Sequence, residues 1–265
     1  MSSQIVGTLP HPASAGQYHA WGNRLVSAAA LPSPPLSDAV AFVRHPHSSQ
    51  NCKPETGNGQ TGLFSYTRLM QIFLVRHGQS RWQIEQDDRN WDSDLTELGE
   101  EQASRLGEWL AAAEDSPFIT HIRASTLVRA RQTAQLAAGS LNIPLAIDEN
   151  LCEATFWVSE HLPAKKTPAD PHFTHQPSTI YSAFKEQAGQ ALAALVADAE
   201  TTQGPVMGIA HGGLISTLLR YVVGSDWVSF WIYNTTLNLL EWKRGRWHLV
   251  YLNRWDHLPP HLRTF

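Results

Sequence analysis

The stretch Gln71–Ser80, which reads QIFLVRHGQS, is an apolar run of strand length that breaks directly into Arg76, His77 and Gly78. Such a short apolar run predicts a buried strand. In an open α/β sheet, ligands bind at the carboxyl ends of the strands. We therefore expect the arginine and the histidine to lie on the floor of an active site. The glycine lets the backbone turn there and approach a ligand closely.

A second apolar run, Val206–Ala210, is predicted to end in the same way, because His211 and two glycines follow it. The helix predicted after each turn offers free N–H groups to an anion. Arg129 occupies a comparable place, in the first turn of a helix that we expect Ser125 and Thr126 to cap. A cation there opposes the helix macrodipole. Its position therefore favours a role in holding an anion.

The rest of the chain alternates between strand and helix patterns. Helices are predicted after a Thr96 N-cap, after Ser125 and Thr126, along a stripe from Phe184 to Ala199, and from Leu214. The predicted strands are 71–75, 118–123, 143–147, 206–210, 237–242 and 247–252, of which the last two form a hairpin. This alternation predicts an α/β fold, a three-layer α/β/α sandwich with a mainly parallel sheet.

Residues 1–69 differ from the remainder, being rich in Pro, Ser, Ala and Gly, with Asp38 and Glu55 as their only acids. No strand or helix period persists, so we expect a disordered or mis-assigned N-terminal extension, with Met70 as the alternative start. The apolar run at 24–30 is too short and too far from the N-terminus to favour a targeting segment. The domain is predicted to span 70–265. An irregular, proline-containing insertion at about 153–180 is expected to cover the substrate.

The composition narrows the function classes. With 42% hydrophobic residues and a net charge of −4, the chain lacks the basic surface expected of a nucleic-acid-binding protein. No apolar run approaches the roughly 18 residues of a membrane span. Cys52 and Cys152 form no CxxC pair, which favours a reducing cytoplasm over a disulfide scaffold. An acidic domain with a few well-placed arginines and histidines predicts one local anion pocket.

Two arginines, two histidines and two helix N-termini that converge on one point suit a phosphoryl group, since the guanidinium fork matches phosphate geometry. A neutral histidine can attack phosphorus and form a covalent intermediate. A carboxylic acid would then protonate the leaving oxygen and later activate water. The candidate is Glu153, which opens the insertion directly after the third predicted strand, and Glu160 is its competitor.

Five sequence blocks, in this order, resemble the signatures of the histidine phosphatase superfamily, in its phosphoglycerate mutase-like branch. The blocks are Leu74–Ser80, Leu95–Gly99 with Gln102 and Ala103, Ser125–Ala134, His211–Gly213, and Asn234–Thr236 through Asn253. The resemblance covers Met70 to about Leu258 and implies a phosphoglycerate mutase-like fold. It implies His77 as the phosphorylated nucleophile, Glu153 as the proton donor, and Arg76, Arg129 and His211 as the phosphate pocket. It implies no metal and no cofactor.

Two departures limit what the resemblance implies. The family often has Asn seven residues after the arginine of its signature, and this chain has Gln83 there. The longer amide remains a candidate for phosphate binding. The segment after the acid commonly carries Gly and a Trp-Glu-Gly run, whereas residues 154–160 read ATFWVSE. Substrate contacts in that segment are therefore not implied.

The leading hypothesis is a metal-independent phosphomonoester hydrolase that acts on a small phosphorylated substrate through a phosphohistidine. A phosphoglycerate mutase-type phosphoryl transferase is the alternative, and hydrolysis is favoured because we find no match to the mutases' extra basic substrate-contacting segments. A third hypothesis is a phospho-ligand binding protein without turnover. Lys165 and Lys166 could meet a second anionic group of the substrate. His172 and His175 lack the further ligands that a metal site would need.

Overall fold

The computed structural model describes residues 69–171 and 173–265. Their centre is a six-stranded sheet in the order β3-β2-β4-β1-β5-β6. The strands are β1 (Met70–Arg76), β2 (His121–Ala124), β3 (Leu145–Ile147), β4 (Val206–Ala210), β5 (Leu237–Lys243) and β6 (Arg246–Arg254). The α-helices are α1 (Arg81–Glu85), α2 (Glu97–Ala112), α3 (Val128–Leu141), α4 (Thr179–Thr202) and α5 (Gly212–Val223).

Strands β1 to β4 run parallel, and β5 and β6 close the sheet as an antiparallel hairpin. Arg76, the last residue of β1, stands in register with Ala210, the last residue of β4. The next residues, His77 and His211, therefore leave the same edge of the sheet side by side. The backbone N–H of His77 also donates to the carbonyl of Ala210 at 3.0 Å, which extends the pairing to the first of the two histidines.

Side-chain alternation along β1 builds a core on each face of the sheet. Ile72 and Leu74 pack with residues of α4 and α5, whereas Phe73 and Val75 pack with residues of α2 and α3. All four side chains are buried, and full burial of one such side chain contributes about 1.5–3 kcal/mol. The predicted three-layer α/β/α sandwich is confirmed.

The prediction that Ser125 and Thr126 cap α3 is wrong. The N-cap of this helix is Leu127, which follows Thr126 directly, and no side chain makes a capping hydrogen bond. The Ser125 hydroxyl accepts from the Leu127 N–H at 3.2 Å and also lies 2.9 Å from His211 Nε2. It therefore contacts the histidine that follows the neighbouring strand β4. The predicted Thr96 cap is present, since its hydroxyl accepts from Gly99 N–H at 3.0 Å.

The second predicted strand begins three residues later than expected, at His121, and Phe118 is 82% exposed. Residues 153–178 contain a single turn of 3-10 helix at Val158–His161 and are otherwise irregular among the described positions. Helix α4 then starts after Ser178, whose hydroxyl caps it. The expectation that residues 1–69 are disordered falls almost entirely outside the described residues. None of the described helices is long and apolar enough to cross a membrane.

Candidate active site

A cavity of about 750 Å³ opens at the carboxyl edge of the sheet, where β1 and β4 end. Arg76 and His77 form part of its wall, together with Arg129 from the first turn of α3 and Glu153 from the segment after β3. His211 is not one of the lining residues, but its ring centroid lies 5.0 Å from that of His77. The structure thus brings together these five predicted site residues, although they come from four separate stretches of the chain.

His77 is held as a neutral imidazole in which one defined nitrogen keeps its lone pair. Its Nδ1 lies 2.6 Å from the carbonyl oxygen of Gly78, an acceptor, so the ring proton is assigned to Nδ1. Burial lowers the pKa of His77 well below its ordinary value, and the positive potential of His211, Arg129 and Arg76 lowers it further. The remaining nitrogen, Nε2, therefore carries a lone pair at neutral pH.

Arg129 directs its guanidinium at that lone pair. Its Nε–H donates to His77 Nε2 at 3.2 Å, and one terminal N–H donates to the carbonyl of Trp91 at 2.8 Å. The Trp91 ring also lies under the guanidinium, at 5.4 Å. The carboxylate of Asp92 is 4.0 Å away and partly exposed. Burial lowers the pKa of Arg129, and Glu153 is the carboxyl group that most raises it. Arg129 is thus a buried cation near both the candidate nucleophile and Glu153.

Arg76 and His211 each keep a buried nitrogen without a hydrogen-bond partner among the described residues, namely Nε and Nδ1. One terminal N–H of Arg76 donates to the Ile232 carbonyl at 2.8 Å, and burial lowers its pKa to about 10, so the group stays charged at neutral pH. Buried polar groups are normally paired. Two unpaired nitrogens beside Arg129 therefore mark a place for an anion.

Ser125 is the hydrogen-bond partner of His211 Nε2. Its hydroxyl accepts from Leu127 N–H, and it lies 2.9 Å from His211 Nε2 and 3.5 Å from Cys152 Sγ. When the hydroxyl donates to Nε2, the ring proton of His211 lies on the unpaired Nδ1. Burial, followed by the potential of Arg129 and Arg76, lowers the pKa of His211 well below its usual value. His211 is therefore a neutral donor that faces away from Ser125.

Glu153 is fixed by two backbone donors. Its carboxylate accepts from Ala154 N–H at 3.0 Å and from Gly213 N–H, in the first turn of α5, at 2.8 Å. Burial raises the pKa of Glu153, although the two N–H donors, Arg76 and Arg129 lower it in part. A carboxyl group with a raised pKa, at the edge of a phosphate-sized pocket, is suited to hold a proton for a leaving group.

Comparison with known proteins places this constellation in a family. The profile of the histidine phosphatase superfamily (branch 1) matches residues 72–254. The chain belongs to the histidine phosphatase superfamily. The five blocks recognised in the sequence all fall within the matched residues, and the family prediction is confirmed.

Relatives of this member of the histidine phosphatase superfamily carry both hydrolase and mutase names. "Probable phosphoglycerate mutase GpmB" of Salmonella paratyphi A is 28% identical over 194 residues, which are 68% of this chain and 88% of that protein. YhfR of Bacillus stearothermophilus superposes with a TM-score of 0.55 at 24% identity, over 71% of this chain and 98% of its own. Phosphoserine phosphatase of Entamoeba histolytica, in complex with phosphoserine, gives 0.56 at 19% identity, over 72% and 100%. The two structural likenesses support the fold.

Gln83 lines the cavity, but its amide is held by neighbouring groups. Its Oε1 accepts from Ser80 N–H at 3.0 Å, and its Nε2 donates to the Phe265 carbonyl at 3.1 Å. Asn234, which we did not single out as a functional residue, lies 3.2 Å from the same amide and donates to the His77 carbonyl at 2.7 Å. Gln83 and Asn234 thus brace the turn that carries His77.

Other candidates lie away from the cavity. Glu160 is exposed and is not part of the wall, so it does not compete with Glu153 at the pocket. Lys165 donates to the Asp170 carbonyl at 2.7 Å and stacks on Trp227, also away from the cavity wall. The side chain of His172 lies outside the described residues, and no cluster of three potential metal ligands occurs in the part of the chain that the structure describes.

The upper walls of the cavity are largely aromatic. They include Trp82, Trp91, Phe156, Trp157, Phe230 and Phe265. Trp157 projects from the predicted insertion and lies 6.2 Å from the Trp82 ring, between ring centroids. Phe156 contributes to the wall and also packs edge-on against Phe184 in the core, so it both anchors the insertion and faces the ligand space. Such walls suit a substrate whose alcohol has an apolar body.

Proposed function

We propose that this histidine phosphatase is a phosphomonoester hydrolase in which His77 Nε2 is transiently phosphorylated. One observation carries the proposal. The lone pair of a buried, neutral His77 is flanked by Arg129 and by two buried nitrogens without partners, Arg76 Nε and His211 Nδ1. This set offers one nucleophile and three donors to a single phosphoryl group.

In the first step, Nε2 attacks phosphorus in line with the ester oxygen, the N–P bond forms, and the P–O bond to the alcohol breaks. Arg76, Arg129 and His211 donate to the oxygens of the transferring group, where each hydrogen bond to a charged partner contributes about 1.5–3 kcal/mol. Glu153 gives its proton to the leaving oxygen, which departs as the alcohol. Burial raises the pKa of this carboxyl group, which favours its protonated form over that of an exposed glutamate.

In the second step, the Glu153 carboxylate takes a proton from water as the water oxygen attacks phosphorus. The N–P bond breaks, inorganic phosphate leaves, and His77 returns to its neutral form while Glu153 regains its proton. The hydrogen bond from Nδ1 to the Gly78 carbonyl supports the positive charge that the ring gains while it is phosphorylated. The cycle consumes one water molecule and needs no other reactant.

The residues with which the insertion lines the cavity favour hydrolysis over mutase transfer. Besides Glu153, its lining residues are Ala154, Thr155, Phe156, Trp157, Val158, Ser159 and Leu162, none of which is basic. A mutase must keep the dephosphorylated product bound until it is rephosphorylated. The mutase alternative is supported by the name of the Salmonella relative.

The experiment is phosphate release from a panel of phosphomonoesters, compared between the wild type, His77→Ala and a control, His248→Ala, at an exposed position on β6. We expect release by the wild type and the control and none by His77→Ala. Acid-labile, base-stable label on His77 after a rapid quench would report the intermediate. Substantial turnover by folded His77→Ala would refute the nucleophile. Primer-dependent interchange of 2- and 3-phosphoglycerate without phosphate release would instead assign the mutase function.

A further inference from the structure

Helix α5 carries a second buried arginine along the wall of the same cavity. Gly212, Ser216 and Arg220 recur at every fourth position, so they share one face of the helix, and all three line the cavity. Arg220 is only 2% exposed. Since an α-helix rises 1.5 Å per residue, this arginine is about 12 Å along the axis from the phosphate end of the helix. Its side chain leans back toward that end.

The hydrogen-bond partners of Arg220 are all uncharged. Nε–H donates to the Tyr181 hydroxyl at 2.9 Å, one terminal nitrogen donates to Thr217 Oγ1 at 3.0 Å, and the other is 3.5 Å from the Val228 carbonyl. A guanidinium has five N–H donors, so these contacts leave two without an assigned acceptor. No carboxylate of the described residues forms an ion pair with Arg220.

The surrounding charges leave this corner of the cavity positive. Asp226 is the nearby carboxylate, and its oxygens lie 2.9 and 3.1 Å from Lys185 Nζ. It reaches Arg220 only through Tyr181, whose hydroxyl donates to Asp226 at 3.1 Å. Two cations therefore share one anion. A buried cation without a matching anion is costly, and a ligand anion in the cavity would remove that cost.

We propose that Arg220 forms a second anion subsite, and that the natural substrate is a phosphomonoester whose alcohol carries a distant carboxylate or phosphoryl group. The backward lean of the side chain shortens the axial distance, so the two anionic groups are separated by on the order of 7–10 Å. The aromatic walls would cover the apolar body between them. This inference rests on the proposed function, because it concerns the substrate of that same cavity. It also replaces Lys165 and Lys166 as the predicted contact for a second anion.

The test uses two aryl phosphates that differ only in distal charge, namely phosphorylated 3-(4-hydroxyphenyl)propionate and its primary amide. Both have the same phosphoryl group and nearly the same leaving group, so the ratio of their kcat/KM values isolates the second anion. We expect the wild type to favour the acid by about 10–100-fold, the range for a hydrogen bond to a charged group. Arg220→Met should reduce that ratio to near one, mainly through KM.

Arg246→Met is the matched control, because it removes an exposed arginine on β6, outside the cavity wall. The ratio should stay at its wild-type value there. A parallel pair with a distal phosphonate and its dimethyl ester would show whether a phosphoryl group is preferred to a carboxylate.

Two outcomes would overturn the inference. The first is a wild-type ratio near one for both pairs, which needs no variant and so holds even if Arg220→Met fails to fold. The second is an equal loss of activity by Arg220→Met on the acid and on the amide, which would assign a structural role in joining α4 to α5. Failure of the proposed function is distinguishable from both, because it would appear as no phosphate release from the amide and the acid alike.

Discussion

Gly213 and Glu153 are fitted to each other at the edge of the phosphate pocket. The backbone N–H of Gly213 donates to Glu153 Oε2 at 2.8 Å, and a Cβ at this glycine would lie 2.5 Å from Oε1. Real Cβ atoms do not approach an oxygen so closely. A side chain at the second glycine after His211 would therefore have to displace the Glu153 carboxyl group from its present position.

Gly213→Ala should displace the Glu153 carboxyl while leaving His77 and the arginines in place. We expect kcat/KM for an alkyl phosphate to fall by about 100-fold, since general acid catalysis contributes roughly 10²–10⁴. The control is Gly139→Ala in α3, where a Cβ meets no atom within 4 Å. That variant should keep full activity and gain about 0.5–1 kcal/mol in stability. Equal activity of the two variants would contradict the fit described above.

Glu153→Gln tests the proton donor through the leaving group. The amide keeps the shape of the side chain but has no proton to give, so alkyl phosphates should lose about 10²–10⁴ in kcat/KM. 4-Nitrophenyl phosphate, whose leaving group needs little protonation, should lose far less. Because the pKa of Glu153 is raised by burial, the wild-type rate on alkyl phosphates should stay high to a pH above the ordinary carboxyl range and then fall. A parallel loss on both substrate classes would point to another acid.

Because His77 is neutral, we expect kcat/KM for substrates with good leaving groups to change little on the acidic side of the pH profile. Its lowered pKa means that protonation removes the nucleophile only at a pH well below 6.5. The kcat/KM for 4-nitrophenyl phosphate should therefore change little between pH 7 and about pH 5.5, after correction for the ionisation of the ester itself. An inflection of kcat/KM near pH 6.5 in the wild type would contradict this prediction, because it would mean that His77 takes up its proton at the ordinary pKa of a histidine.

The strand ends at His77 and His211 could be predicted because both signals are local. An apolar run that is followed by His-Gly predicts a buried strand, and parallel pairing places the carboxyl ends of the two strands together. Arg129 could be predicted for the same reason, from its place in the first turn of a helix. Glu153 was a candidate because it opens the irregular insertion after the third predicted strand, and the family resemblance implied the same residue as the proton donor.

The supports of these residues could not be predicted, since they depend on contacts between distant segments. Ser125 was assigned to a helix cap from local propensity, but a neighbouring strand end claims its hydroxyl. Asn234 lies 157 residues from the His77 carbonyl that it holds. Arg220 sits in an apolar helix where only the packed structure shows which face lines the cavity.

His257 predicts how stability depends on pH. Its ring is buried, which lowers its pKa from 6.5 to about 4. A histidine with a depressed folded-state pKa contributes stability above pH 6.5, and the contribution is lost as the pH falls toward 4, because the unfolded chain binds the proton first. At 1.36 kcal/mol per pH unit, the full loss is about 3 kcal/mol.

Between pH 7.5 and pH 4, the free energy of unfolding should therefore fall by about 3 kcal/mol less in His257→Leu than in the wild type, as measured by urea unfolding at each pH. His248→Leu, at an exposed position, serves as the control and should follow the wild type. Identical pH slopes for all three proteins would mean that His257 is accessible to protons in the folded state. The lowered pKa values of His77 and His211 act in the same direction, so the wild type should be markedly less stable in acid.

Ser125 is predicted to be a positioning residue that acts through His211. Without its hydroxyl, His211 Nε2 loses its partner and the ring is free to adopt the other tautomer, which would turn a lone pair instead of a proton toward the phosphoryl group. Ser125→Ala should lower kcat/KM by about 10-fold on good and poor leaving groups alike, because a donor to the phosphoryl group serves both.

Ser125→Thr keeps the hydroxyl and should restore most of the activity. Thr126→Ala is the matched control, since its hydroxyl lies 2.9 Å from Cys152 Sγ, which Ser125 also contacts at 3.5 Å, but does not contact His211. A loss in Ser125→Ala that Ser125→Thr does not restore would assign the serine to packing. A loss confined to poor leaving groups would place it with Glu153 instead.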